Sequence, residues 1–279
     1  MKIHLVALAL VLAAPAAAQS PSQSVESPSG SRIQRAAPVT NQGSPQEVAA
    51  RAKEAIAIDK RAGKVPDRKT LKLLLSAQAA LKDEAGIADT LEEEVAGYND
   101  PADWVQLIDI TFNAPSLRDQ DAIWLGRLMF VVGGPVSAND AAMVGQIASQ
   151  HGYFGDAVAA KAHGAPVDPD PGPRADEDKK TMAQQIAGGQ AGDASYNAKL
   201  AEALYGYGMY PEAEAAARLA LQKGGTAGDN QMVLGQSLTA QKKYDDAVAA
   251  FGQANGGGAA TARIARLWAD YAKIKKAGK

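Results

Sequence analysis

From Ser44 to the C-terminus, apolar residues recur every three or four positions, the period of a helix with one buried face. "SPQEVAARAKEAIAIDKRAG" opens with Ser44 as a cap, Pro45 at the first helical position and Glu47 three residues after the cap. Gly63 can stop this helix. Two helices follow, one with Leu71, Leu74, Leu75, Gln78 and Leu81 on a face, the next with Ile87, Leu91 and Val95. A third pair begins at a cap, Asp100, and turns Trp104, Leu107 and Ile108 inward. Its second helix, within "SLRDQDAIWLGRLMFVVG", ends at Gly133–Gly134. "SANDAAMVGQIASQHGYFGDAVAAKAHG" predicts a fourth pair. The proline-rich acidic stretch 165–178 predicts a loop, and "KKTMAQQIAGG" a single helix after it. A further pair starts at Ala194, and one last helix follows Gly256–Gly258. Almost nothing alternates with period two, so the expected fold is all-α.

Two of these segments echo each other. Leu200 aligns with Leu234, Ala201 with Gly235, Leu204 with Leu238, Tyr210 with Tyr244, Ala213 with Ala247 and Ala217 with Phe251, each at an offset of 34 residues. A constant offset of this length, with large and small residues at fixed places, marks a helix–turn–helix solenoid. "GMYPEA" at Gly208–Ala213 and "KKYDDA" at Lys242–Ala247 sit at the two turns.

These units resemble the tetratricopeptide repeat family. Leu200–Ala201 and Leu234–Gly235 supply the large–small pair of a first helix, and "GMYPEA" supplies the glycine turn, the aromatic residue and the small residue after an acid. Asn197 and Gln231 stand where that family has Trp, and Gly225 and Ala259 where it has a closing Pro. Upstream, Val144–Gly145, Gly152, Phe154, Asp156 and Ala157 keep the order of the pattern, whereas "APSLRDQDA" departs from it. The resemblance implies a superhelix of helix pairs, divergent over 45–164 and clearer over 179–258. Residues 259–279 form a capping helix, with Ile264, Leu267, Trp268, Tyr271 and Ile274 as its apolar stripe.

The resemblance also implies a concave face lined by first helices. Carried onto this chain, that face comprises Asn139, Ala142, Gln146 and Ser149, then Ser195, Ala198, Glu202 and Tyr205, then Asp229, Met232, Gln236 and Thr239. The set is mostly small and uncharged. It has no ring of Lys or Arg to clamp a terminal carboxylate, so an extended segment or helix of a partner protein is the expected occupant.

The N-terminus bears on compartment. Lys2 precedes an apolar run, Ile3–Ala14, and small residues Ala16–Ala18 precede Gln19; residues 1–18 read as a cleaved secretory signal peptide. The apolar run is shorter than the roughly 20 residues a spanning helix needs. Residues 19–44 are rich in Ser, Pro and Gln and read as a flexible leader. The expected location is the periplasm. The formal net charge is −2, which gives no general reason to bind nucleic acid. The chain has no cysteine, so thiol chemistry and thiolate metal sites are excluded.

Candidate chemistry is sparse. His4 lies in the signal, and His151 and His163 are too isolated to form a metal site by spacing. The sequence contains no HExxH, GxSxG, GxxxxGK[ST] or GxGxxG. Glu92–Glu94 reads as a solvated helix face, and "DPDPGPRADEDKK" lacks the alternating carboxylates of a calcium loop. No cofactor, metal or catalytic residue is expected. The basic run Arg263–Lys279 could meet an anionic surface or an acidic partner, although lysines are also normal at a helix C-terminus. These features point to a non-enzymatic scaffold or adaptor holding a partner protein in a concave groove. The alternatives are an envelope-polymer hydrolase with a helical shell and a structural subunit of an outer-membrane or secretion assembly.

Overall fold

The computed structural model describes residues 39–254 and 256–278. The expected signal peptide and most of the expected leader lie outside the described residues. Thirteen α-helices make up the described chain, with no strand among the described residues: α1 Pro45–Arg61, α2 Arg68–Leu81, α3 Glu84–Tyr98, α4 Pro101–Phe112, α5 Asp119–Val131, α6 Ala138–Gln150, α7 Phe154–Ala162, α8 Gly172–Gly188, α9 Ala194–Gly206, α10 Tyr210–Gln222, α11 Ala227–Ala240, α12 Tyr244–Gln253 and α13 Ala259–Lys276. Apart from α8 and α9, successive helices pack on one another, as a helix–turn–helix solenoid requires.

Local signals set many of the boundaries. Ser44 and Glu47 form a reciprocal capping box at α1, with Pro45 at its first position. Asp67, Asp83, Asp100, Ser137 and Asp193 each accept a backbone N–H at the start of a helix. Gly63 and Gly133 take positive φ just past α1 and α5. The loop expected over 165–178 is shorter than its prolines suggested. Helix α8 already begins at Gly172, because Pro173 falls in its first turn, where the missing N–H costs nothing.

Close approach explains the small residues. A Cβ on Gly235 would stand 2.5 Å from the Phe251 ring, so the glycine of α11 makes room for the aromatic of α12. Ala201, Ala213 and Ala247 are fully buried at the corresponding packing positions. Gly155 of α7 lies against the backbone of Gly206 in α9, where a Cβ would come within 2.4 Å of a carbonyl carbon. That contact lets α7 pack on α9 across the intervening α8.

The main core runs from α3 to α13. Val48, Ala52, Ile56, Leu71 and Leu74 form a separate small cluster between α1 and α2. Helix α13 covers α12 as a cap should, and its stripe of Ile264, Leu267, Trp268 and Ile274 is buried. It also packs against α3, α5 and α11, so the last helix returns to the early part of the solenoid.

Candidate functional site

The inner face of the repeats is occupied, and by the chain itself. Every residue from Asp121 to Met129 in α5 is buried. A helix apolar all round belongs in an interior, and α5 lies opposite the first helices α9 and α11. Its long side chains reach across. Arg127 forms a two-pronged pair with Asp156 of α7, both contacts 2.8 Å, and donates to Glu202 of α9 at 2.6 Å and to Gln236 of α11 at 2.8 Å. Its guanidinium also lies 4.3 Å from the centre of the Tyr205 ring. Trp124 donates its indole N–H to the other Glu202 oxygen at 2.9 Å, while Trp268 donates to the Trp124 carbonyl at 3.0 Å.

This arrangement corrects the expected groove. Glu202, Tyr205, Met232, Gln236 and Thr239 are all buried. The family resemblance implied an open inner face for them, but α5 removes these side chains from solvent. Asp229 is partly exposed and pairs with Arg118 at 3.1 Å. Asn139, Gln146 and Ser195 are exposed, and Ser149 is half-buried with its hydroxyl oxygen enclosed and unpartnered among the described residues. Helix α5 was expected only as the second helix of the third pair. Arg127 within "IWLGRLMF" was the missed signal, since a charge inside an all-apolar helix must find partners.

Three further polar clusters tie helices together. Arg118 at the start of α5 pairs with Asp121 at 2.8 Å, and Thr261 of α13 donates to Asp121 at 2.8 Å. Arg68 and Lys72 of α2 converge on Glu94 of α3 and Asp103 of α4. Arg263 and Arg266 of α13 hold Glu92 of α3, and Arg263 also meets Asp89. The triplet Glu92–Glu94 is therefore not a solvated face: Glu92 binds α13, Glu93 pairs with Lys60 and Glu94 is buried. Burial pushes the Glu94 and Glu202 carboxyls above the ordinary glutamate range, against the opposing pull of their basic partners.

The basic tail is largely spent on internal pairs as well. Besides the two arginines, Lys273 meets Asp270 and Lys276 meets Asp245. His151 lies 3.0 Å from Asp119, and His163 stacks on Phe130 with ring centres 4.4 Å apart, so the two serve different contacts. Among the described residues no group of His, Asp and Glu is arranged to hold a metal, and no helix is long and apolar enough to cross a membrane.

An open pocket of about 270 Å3 remains where the turns of the last two repeats meet α13 and the end of α5. Tyr205, Thr239 and Trp268 are its buried lining; Tyr210, Tyr244 and Tyr271 are half-buried, and Val131, Ala240, Lys242 and Lys275 form its exposed rim. Tyr210 and Tyr244, aligned by the repeat, thus share one cavity. Tyr205 and Tyr210 stand 5.3 Å apart between ring centres, and Trp268 meets Tyr271 edge-on at 5.9 Å. Burial, then neighbouring tyrosines and acids, pushes the Tyr205 hydroxyl upward in pKa despite Arg127, so it stays a protonated donor. Tyr271 is raised likewise by burial and Tyr244. No protein-family profile and no curated protein matches the chain.

Proposed function

We propose that this protein is a non-enzymatic, exported scaffold built from tetratricopeptide-type repeats, and that it holds a partner protein on its outer surface. The observation that carries this reading is the fate of its buried charges. Asp121, Asp156, Glu94 and Glu202 are each bound to arginine or lysine from another helix or the adjoining turn. Carboxylates committed this way fasten helices and are poorly placed for acid–base work on a polymer, which favours a binder over a hydrolase. A frame with its inner face filled must present other surfaces, and Asn139, Gln146 and Ser195 remain exposed for contact.

The reading is tested in the native envelope. Photo-crosslinking residues placed at Asn139, Gln146 and Ser195 are expected to capture one recurrent chain, which then binds the purified protein saturably. Mass spectrometry of the same periplasmic fraction is expected to find a mature chain starting near Gln19. An intact Met1 start there, or a captured chain that fails to bind in purified form, refutes the proposal.

A further inference from the structure

We propose that the aromatic pocket beside the last two repeat turns binds a small organic acid, with the acid's apolar body against the tyrosine rings and its anionic group met by Lys242 and Lys275. The volume of 270 Å3 lies just under the range of drug-sized ligand sites, which suits a body of about one ring. The walls are Tyr205, Tyr210, Tyr244, Tyr271 and Trp268. A cage of this kind could equally attract a cation, through the faces of its rings. Charge decides between the two. Among the described residues the lining holds two lysines and no Asp or Glu. The Lys275 ammonium already lies 5.4 Å from the Tyr271 ring centre, so the protein supplies its own cation to that face.

The lysines are also free to act. Their neighbours Lys273 and Lys276 pair with Asp270 and Asp245, whereas Lys242 and Lys275 form no ion pair among the described residues. Deeper in, Tyr205 is 9 % exposed, and its hydroxyl makes no hydrogen bond among the described residues. The hydroxyl oxygen keeps some solvent contact and lines the pocket as a donor still without a protein acceptor. An acid supplies that acceptor, and the ammonium groups make its contacts charge-assisted. The closest buried charges, on Arg127, Asp156 and Glu202, are already paired with one another.

The backbone provides a clean variant. Lys242 has φ +62°, and the aligned position of the preceding repeat is Gly208, at φ +74°. Lys242→Gly therefore removes the ammonium while relieving the backbone. Binding to the full chain is measured by calorimetry at low salt with phenylacetate, phenylacetamide, phenethylamine and acetate as probes. Phenylacetate is expected to bind one per chain. Lys242→Gly, Lys275→Gln and replacement of the acid by its amide are each expected to weaken binding about tenfold. Acetate, lacking the ring, is expected not to compete. The proposal is overturned if phenylacetate shows no saturable binding, if phenethylamine or acetate binds as tightly, or if both lysine variants bind phenylacetate unchanged.

Discussion

Arg127 shows how much one side chain can organise. It contacts α7, α9 and α11 from α5 while only 4 % exposed. Two carboxylates share this one guanidinium, so the cluster holds an excess negative charge. Asp156 takes the two-pronged contact, and the excess falls on Glu202, whose carboxyl is driven upward by burial. Glu94 faces the same conflict in α3, with one oxygen bound by Arg68 and Lys72 and the other buried without a partner among the described residues. A raised folded-state pKa means that the native state holds protons the unfolded chain has released. Its contribution to stability is full below the unfolded value of 4.5 and is lost as pH rises through the folded value. Asp100 and Glu214, whose carboxyls are lowered, respond oppositely and matter only at more acid pH. Stability should therefore decline from about pH 4.5 towards neutrality, and Glu94→Gln should make that decline shallower. The substitution keeps an acceptor for Arg68 and Lys72 and removes the charge from the enclosed oxygen. Urea unfolding across this range measures the slope; an identical slope in the variant would show that Glu94 is not in conflict.

At the scale of elements, packing between neighbours and filling of the interior came from different parts of the sequence. The offset that aligns Ala213 with Ala247 assigns both to helix contacts, and both are fully buried. Ala247 sits on α12, which packs between α11 and α13. Ala247→Phe should overpack this layer and cost roughly 1–3 kcal/mol, read from the thermal midpoint; an unchanged melting curve would refute the placement. Capping residues were equally legible, because Ser44, Asp100 and Gly133 act through their own turns. The groove was not. Glu202, Tyr205 and Gln236 were expected to face an open groove, and they are buried against α5 instead. Periodicity within α9 or α11 carries no record of a third helix laid across it. The record lies in α5, where the sequence departs from the repeat and turns apolar on every side. The pocket was half legible: Tyr210 and Tyr244 are paired by the repeat, but Trp268 and Lys275 join them only because α13 folds back.

That return also shapes residues 39–278 as a whole. A solenoid with contacts only between neighbours loses its end units independently. Here α13 is tied to α3 by Arg263 and Arg266 on Glu92, and to α5 by Trp268 and Thr261. The ends of the stretch from α3 to α13 are thereby coupled, while α1 and α2 keep a small core of their own. Glu92→Lys would place three cations where one carboxylate now joins two arginines. The Glu92 side chain is 14 % exposed and that of Arg263 21 %, so the contact is screened less than a surface pair. The expected loss is about 1 kcal/mol, with hydrogen exchange accelerating together in 84–98 and 259–276. Exchange in α1 should stay nearly as it was, because its core is shared with α2 and its Lys60–Glu93 tie to α3 lies at the surface. Arg263→Glu combined with Arg266→Glu in the Glu92→Lys background should restore protection by rebuilding the attraction with reversed signs. Faster exchange confined to α13, with α3 unchanged, would mean that the two helices touch without being energetically coupled.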